Sequence, residues 1–327
     1  EMSITQFWLQ QLRRTIMSKI LIKKSAIALA IGIAFAGSAV AENHIAVINQ
    51  ESAGAAEIGN EVYVEQAGVL HWAYADQYGD DNVTSLLQFD QWQEAYAYVT
   101  GDFNLVEGEQ SGLWNIFNAD VVGDDNWLSA YQEGSLNSAN IFLQGDGNTA
   151  IADQSGDANE ATIDLSGDYN AAEIYQSGDS NWSNFQISGS DNLFLSEQSG
   201  SLNESGYFNA SGDRNTFEAS QEGDGNVAGV VGADGDDNEV YAQQYGSSNI
   251  FIAEDLQGNE NFVDVFQDGS ANEFLIQPIQ GEANFIVVQQ QGSSNVVEAA
   301  NGMIGNDNLI DAYQRGDNNY AVFFFFF

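Results

Sequence analysis

Twelve glutamines recur at one position of a regular repeat, and their side-chain amides are the residues whose type and spacing point most directly to a chemical role. The spacing is 22 residues up to Gln198 and 23 or 24 residues beyond it. A primary amide carries donors and an acceptor, so amides stacked in register can bond along a column as backbone groups do between strands. We therefore predict a structural ladder of Gln66, Gln88, Gln110, Gln132, Gln154, Gln176, Gln198, Gln221, Gln244, Gln267, Gln290 and Gln314.

Catalytic chemistry has little support in the sequence. There is no cysteine, and the two histidines are His44 and His71. His71 occupies a position that asparagine fills in other repeats, which indicates a structural substitute. The many serines have no base and orienting acid at a recognisable spacing. We predict no enzyme activity, no catalytic residue, no metal ligand and no cofactor. A solenoid enzyme of the polysaccharide-lyase type would need a basic or metal-lined cleft.

The glutamines must be positioned by a repeating element, and each repeat splits into two similar units of about 11 residues. Each unit ends in a Gly-x-x-Asn turn, in which glycine supplies a positive φ and asparagine tolerates left-handed geometry while bonding nearby backbone. The structural turn residues are Asn82, Asn104, Asn137, Asn159, Asn181, Asn203, Asn226, Asn249, Asn272, Asn295 and Asn319, with Gly156, Gly178, Gly200, Gly223 and Gly246.

After each turn asparagine the chain alternates with a period of two. Asn170 leads to Ala172, Ile174 and Gln176, with polar or aromatic residues between them. Such alternation is typical of a half-buried strand. We predict an all-β fold, a β-solenoid of about 12 strand-arc-strand-arc rungs of 22–24 residues with cross-β stacking. At roughly 4.8 Å per rung, the rod would be about 58 Å long.

Five half-repeats, all after residue 203, are longer than the others. They all follow a glutamine-type turn, so we expect one of the two arcs to tolerate an extra residue. Pro278, which is the single proline, lies in one of these long halves, where a missing donor does least harm.

Residues 17–41 have the features of a secretory signal peptide. A basic segment with Lys19, Lys23 and Lys24 precedes a short apolar core, and Ala39 and Ala41 frame an A-x-A cleavage site. The predicted division is therefore residues 1–16, a non-native upstream extension or an extended signal; residues 17–41, the signal; and residues 42–327, a single solenoid domain.

Removing residues 1–41 leaves two arginines against 47 acids, a net charge of −45. Nucleic acid and anionic membranes are poor partners for this surface, and we expect no membrane insertion of the mature chain. The acids fall mainly in arcs. Solvated carboxylates that oppose aggregation are the favoured interpretation, and calcium bound in the Asp-rich arcs is the alternative. An exported chain without cysteine must be held by ladders and packing.

The repeats resemble those of the curlin family, the subunits of curli-type functional amyloid on Gram-negative cells. The resemblance rests on twelve repeats in phase over about residues 49–319, several of which keep the frame Gln-x-Gly-x-x-Asn-x-Ala. It includes Gln132, Gly134, Asn137 and Ala139; Gln154, Gly156, Asn159 and Ala161; and Gln221, Gly223, Gly225, Asn226 and Ala228. The second family glutamine is kept only at Gln77 and is elsewhere apolar, as at Val99 and Leu165.

The resemblance implies a secreted structural subunit of extracellular fibres that serve biofilm matrix and cell adhesion. It also implies a curli-type nucleator and an outer-membrane secretion machinery as partners. No polar capping repeat is visible, so both ends of the rod should be open sheet edges that stack head to tail with other copies. The alternative is a monomeric surface β-solenoid, an adhesin or binding rod, although no anchoring domain is visible.

The C-terminal phenylalanine run and the outward aromatic residues can each be interpreted in two ways. The phenylalanine run at residues 323–327 is either a last strand or an adhesive end that nucleates assembly or binds export machinery. The outward aromatics either pack across strands or bind matrix polymers. They include Trp127, Tyr131, Tyr175, Trp182, Tyr241 and Tyr313.

Overall fold

The computed structural model is built from strands and arcs, and it describes residues 44–51, 59–299 and 302–323. The strands are β1 (Ile45–Glu51), β2 (Glu61–Val69), β3 (Trp72–Tyr78), β4 (Val83–Gln91), β5 (Glu94–Thr100), β6 (Leu105–Leu113), β7 (Ile116–Val122), β8 (Trp127–Ser135), β9 (Ser138–Gln144), β10 (Thr149–Asp157), β11 (Glu160–Ser166), β12 (Ala171–Ser177), β13 (Trp182–Ser188), β14 (Leu193–Ser199), β15 (Glu204–Ser211), β16 (Thr216–Asp224), β17 (Val227–Asp234), β18 (Glu239–Ser247), β19 (Ile250–Gln257), β20 (Phe262–Ser270), β21 (Glu273–Ile276), β22 (Ile279–Gln280), β23 (Phe285–Ser293), β24 (Val296–Ala299), β25 (Met303–Ile304), β26 (Leu309–Arg315) and β27 (Tyr320–Phe323). None of the described residues forms a helix that could cross a membrane.

The strands form two parallel sheets that face each other across a narrow core. The first, here called the glutamine sheet, runs β2, β4, β6, β8, β10, β12, β14, β16, β18, β20, β23 and β26. The second, the companion sheet, runs β1, β3, β5, β7, β9, β11, β13, β15, β17, β19, β21, β24 and β27, and the short strands β22 and β25 continue the rungs of β21 and β24. The predicted all-β solenoid of about 12 rungs is confirmed.

Identical positions of successive repeats lie directly above one another. Between β10 and β12, Ala150 pairs with Ala172 and Gln154 pairs with Gln176. A parallel in-register ladder keeps each side chain on the same face of every rung, so apolar residues form columns. The sequence period of 22 therefore becomes a stack in which each inward residue touches its own counterpart.

The core balances large against small side chains across the gap between the sheets. Phe117 of the companion sheet is fully buried, and a Cβ added at Gly108 of the glutamine sheet would lie 2.6 Å from its ring. Further along, Phe185 contacts Phe194 and Phe217 edge-on, with ring centroids 5.6 and 6.1 Å apart. Full burial of one such ring stabilises the fold by roughly 1.5–3 kcal/mol.

The extra residues after position 203 lie within strands, so the expectation that an arc accommodates them is wrong. The pairing of β13 with β15 shifts register between Phe185 and Ile187. The next rungs repeat the irregularity, with Gly232 at φ 69° and Asp255 at φ 53°. A bulge disturbs only one strand. Both arcs, in contrast, are held at a constant length by stacked glycines and asparagines, and that is why the insertion is excluded from them.

The turn asparagines do not adopt the left-handed conformation that the sequence suggested. The residue before each of them does, as in Ala158 at φ 57° before Asn159 and Tyr169 at φ 59° before Asn170. The glycine that opens the arc has a positive φ, as predicted, which is 114° at Gly156. The asparagines are instead buried, and their side chains bond from rung to rung.

The strand β1 precedes the first predicted repeat and was not anticipated. Its residues pair in register with β3, from Ile45 opposite Trp72 to Glu51 opposite Tyr78. All seven residues of β1 are exposed, because no further rung of the described residues covers them. The companion sheet thus extends one strand beyond the glutamine sheet at this end of the described rod.

Candidate assembly site in the amide ladders and rod ends

The twelve glutamines form one continuous ladder through the glutamine sheet. In all eleven successive pairs the Nε2 of one glutamine donates to the Oε1 of the next, at 2.8–3.0 Å. From Gln88 to Gln290 the side chains are at most 3% exposed. Every donor points towards the C-terminal end and every acceptor towards the N-terminal end, so the ladder has a direction.

The second amide hydrogen of each glutamine crosses the core to the companion sheet. Gln154 Nε2 donates to the carbonyl oxygen of Ser138 at 3.1 Å, and Gln176 Nε2 to that of Glu160 at 3.0 Å. The acceptor is in each case the first residue of a companion strand. Both donors of a buried amide are thus satisfied, and an unsatisfied one would cost about 1–3 kcal/mol.

The turn asparagines divide into two columns, one in each arc. In the arc that follows the glutamine strands, Asn159 donates its backbone N–H to Asn137 Oδ1 at 3.0 Å and its Nδ2 to the Gly178 carbonyl at 2.7 Å. This column contains Asn137, Asn159, Asn181, Asn203, Asn226, Asn249, Asn272, Asn295 and Asn319. Asn82 and Asn104 belong to the column of the opposite arc.

The predicted turn glycines are required by stacking as well as by backbone conformation. A Cβ on Gly156 would overlap the carbonyl oxygen of Gly178 on the next rung. The same overlap, each with the glycine above it, recurs at Gly178, Gly200, Gly223 and Gly246. The arcs of adjacent rungs therefore approach closely enough to exclude any side chain at this position.

The two histidines stand at the start of the column that contains Asn137, in the arc that follows the glutamine strands. Their rings stack 4.9 Å apart with an interplanar angle of 6°. His44 Nδ1 accepts the His71 backbone N–H, and His71 Nδ1 accepts that of Gln93, both at 3.4 Å. Burial lowers the pKa of His71, which favours the neutral ring that this acceptor role needs. These contacts give both histidines a structural role.

The arc carboxylates perform a task that sequence reasoning missed. Asp102 Oδ1 accepts the backbone N–H of Asp80 at 2.7 Å, and Asp124 Oδ1 that of Asp102 at 2.7 Å. The pattern continues through Asp146 and Asp168. The signal was the 22-residue recurrence of aspartate in the arcs. Among the described residues no group of three or more histidine or acidic side chains is arranged to hold a metal ion.

The outward aromatics bond to carboxylates of their own strand and also contact the neighbouring rung, as Tyr241 does with Phe262 at a centroid distance of 5.8 Å. Tyr175 donates its hydroxyl to Glu173 at 2.9 Å, and Tyr241 to Glu239 at 3.3 Å. Burial raises the pKa of both phenols. Trp127, Tyr131 and Trp182 are also half-buried, whereas Tyr313 is 59% exposed.

Several predicted features fall outside the described residues. These are the upstream extension, the signal peptide, its cleavage site at Ala39 and Ala41, and residues 324–327 of the phenylalanine run. Phe323 is described, pairs with Ala299 in β24 and packs against the core.

The ladders end on open strands at both ends of the described rod. Gln314 Nε2 donates to the Val296 carbonyl at 2.9 Å and lies last in the donor direction. Gln66 lies first, so its Oε1 faces the N-terminal end. The amide donor at one end is complementary to the amide acceptor at the other end. The open sheet edges at the two ends are likewise complementary to each other.

Comparison with protein-family models matches the curlin associated repeat in four stretches, residues 123–155, 145–174, 212–246 and 305–324. Each stretch contains at least one ladder glutamine, among them Gln154 and Gln314. A search of curated proteins found no match.

Proposed function

Because this chain is a curlin-repeat protein folded as a β-solenoid with directional amide ladders, we propose that it is a structural subunit that polymerises end to end into extracellular amyloid-type fibres. The observation that carries the proposal is the unbroken ladder from Gln66 to Gln314. It leaves its last donor and its first acceptor at opposite ends of the rod, where a second copy can complete both.

The junction extends the register that already exists within the chain. Stacking β26 on β2 of a second copy, with Gln314 opposite Gln66, places Ile310 opposite Val62 and Ala312 opposite Val64. All four are inward apolar positions, and Val62 and Val64 pack against the core. Such a head-to-tail contact does not close on itself and therefore gives a filament.

The charge distribution supports growth along the rod axis. Most carboxylates lie in arcs or on outward strand positions, and the inward columns are apolar or amide-bearing. Two rods side by side would bring like charges together, whereas end-to-end contact buries neutral side chains. The fibre should therefore be unbranched.

The remaining parts of the proposal follow from the family. We expect secretion through a curli-type outer-membrane machinery, a nucleator partner, and a role in biofilm matrix and cell adhesion at the surface of a Gram-negative bacterium. Nucleic acid, membrane insertion and a bound cofactor play no part in it. The proposed structural role does not involve enzyme activity.

The direct test is to dilute the denatured mature chain into neutral buffer and to follow light scattering, electron microscopy and fibre diffraction. Unbranched fibres with a meridional spacing of about 4.7 Å are the expected result. A β-rich monomer that never polymerises, with or without calcium or acid, would refute fibre assembly and favour a monomeric surface rod. Replacing residues 323–327 by serine tests whether the phenylalanine run has any part in assembly or attachment.

A further inference from the structure

The two sheets contain different numbers of rungs. The companion sheet has thirteen strand positions from β1 to β27, and the glutamine sheet has twelve from β2 to β26. Consecutive strands of a solenoid alternate between the sheets, so twelve full coils need equal numbers. The additional position is β1, which lies on the outer edge of β3.

This difference matters when two copies join. If β2 of a second copy continues the glutamine sheet beyond β26, the β1 strand of that copy comes to the level of β27. Between β24 of the first copy and β3 of the second there is room for one strand. Either β27 or β1 must therefore leave its place at every junction.

The two competing strands present equivalent residues to this place. In register, β1 begins Ile45, Ala46, Val47, Ile48, and β27 consists of Tyr320, Ala321, Val322 and Phe323. The second and third positions are identical, alanine and valine in both strands, and the first and fourth carry isoleucine in β1 and an aromatic residue in β27.

The residues that precede the two strands are equivalent as well. His44 precedes β1 and Asn319 precedes β27, both in the arc column that contains His71. A second copy's β27 can thus take the place of β1 on the edge of β3 with the same register.

The contacts at the start of β1 are weaker than those at the start of β27, although the β1 ladder has seven register pairs and the described part of the β27 ladder has four. His71 N–H reaches His44 Nδ1 at 3.4 Å, whereas Asn319 N–H reaches Asn295 Oδ1 at 3.1 Å. The Nε2 of His44 is buried without a hydrogen-bond partner. All of β1 is exposed, whereas Ala321 and Phe323 of β27 pack against the core.

Chain connection also favours release of β1. Nine residues, 52–60, separate β1 from β2, whereas four residues, 316–319, separate β26 from β27. Nine residues are enough for β1 to leave while β2 stays in place, whereas four residues keep β27 next to β26.

We propose that β1 is a displaceable cap, which occupies the edge of β3 until the β27 strand of a second copy replaces it. This inference rests on the proposed end-to-end assembly. The cap satisfies an edge that would otherwise be open in the monomer, and its exchange makes release of β1 a step in every addition.

A reversible lock on β1 tests the proposal in the full chain. Asn49 and Asp76 are register partners in β1 and β3, and the protein has no native cysteine. Neighbouring strands bring such pairs within disulfide range. The Asn49→Cys/Asp76→Cys variant is compared, oxidised and reduced, in the rate at which it elongates preformed wild-type fibres. We expect elongation at least about tenfold slower in the oxidised form.

A matched control lies at the same strand position in the middle of the rod. Asp164 and Gln186 are register partners in β11 and β13, and the Asp164→Cys/Gln186→Cys variant likewise removes one aspartate and one amide. Its oxidised and reduced forms should elongate equally fast. As a second variant, Ile48→Asp weakens the apolar contact of β1 and should speed elongation several-fold.

The outcomes separate the two proposals. If the wild-type chain forms fibres and only the oxidised Asn49→Cys/Asp76→Cys variant elongates them slowly, the result supports the cap. Wild-type fibres with no effect of that lock, or with equal slowing by both locks, would overturn the cap and leave end-to-end assembly intact. Failure of the wild-type chain to form any polymer would overturn the assembly proposal, and the cap with it.

Discussion

Gln154 Nε2 donates to Gln176 Oε1 at 2.9 Å, and both side chains are at most 2% exposed. The same bond joins each pair of consecutive glutamines in the column. Each ladder glutamine between the ends accepts from the rung before, donates to the rung after and donates across the core. A buried amide that is fully satisfied specifies its own register, because a shift of one residue would leave it unpaired.

The Gln154→Leu substitution should destabilise the rod strongly. It removes the acceptor of Gln132 Nε2, the donor to Gln176 Oε1 and the donor to the Ser138 carbonyl oxygen. The two buried side-chain groups left without partners cost about 2–5 kcal/mol together. Denaturant unfolding at a concentration that keeps the chain monomeric measures this loss. The exposed Gln144→Leu is the control and should stay within about 0.5 kcal/mol of wild type; equal losses would contradict the ladder's energetic role.

The Gly156→Ala substitution should be poorly tolerated, whereas Gly225→Ala should not. Gly156 has φ 114°, and an added Cβ overlaps the Gly178 carbonyl. Gly225 has φ 65°, and the nearest atom to its Cβ would be Ser248 Oγ at 3.8 Å. Strain of this kind costs about 1–3 kcal/mol before any steric overlap is added. Thermal unfolding of the two variants should show a large decrease for the first and a small one for the second.

Mild acid should stabilise the rod through carboxylates on the outward faces. Burial raises the pKa of Asp153, Asp164 and Asp264. The folded chain therefore binds these protons more tightly than the unfolded chain does. Their stabilising contribution is full below the unfolded pKa and is lost as the pH rises through the folded pKa.

Denaturation midpoints should accordingly rise as the pH is lowered from neutrality towards the folded pKa of these groups. Asp164→Asn should raise the midpoint at neutral pH and weaken the dependence. The control is the exposed Gln144→Leu, which removes no carboxylate and should leave the slope unchanged. A midpoint that falls on mild acidification, with Asp164→Asn behaving as wild type, would contradict the argument.

The N-terminal end should respond to acid in the opposite direction. Burial lowers the pKa of His71, so its stabilising contribution is full above the unfolded value of about 6.5 and is lost as the pH falls through the folded value. Hydrogen exchange in β1 and β3 should therefore accelerate in acid relative to β11. His71→Asn restores the residue type of the column and should remove this local acceleration.

The Gln314→Leu substitution should slow assembly more than it reduces stability. Gln314 bonds to only one neighbouring glutamine, Gln290, whereas Gln154 bonds to two. At a junction, leucine leaves Gln66 Oε1 of the next copy without a donor, which corresponds to roughly tenfold weaker addition or more. The measurement is seeded fibre elongation, with Gln144→Leu as the control. An unchanged elongation rate would show that the ladder does not continue through the junction.

The sequence by itself determined the repeat, the inward alternation and the identity of the glutamine column. Residues such as Gln154, Ala161 and Asn170 recur at a constant spacing, and a period of two within each unit permits few structures other than a half-buried strand. This information is local and periodic, so it can be recognised without knowing which rung contacts which.

Only the tertiary structure decided the features that depend on distance between rungs. The overlap at Gly156 and the bonds of Asn159 arise because the arcs of adjacent rungs are in contact. The same contact explains why Ala158, and not Asn159, has the left-handed conformation. It also explains why the inserted residues lie in the strands and not in the arcs. The docking of β1 on β3 could not be predicted from the repeat period, because Ile45 and its partner Trp72 are 27 residues apart. A strand edge accepts any chain segment of suitable register and polarity, and which segment fills it is settled by three-dimensional reach and competition.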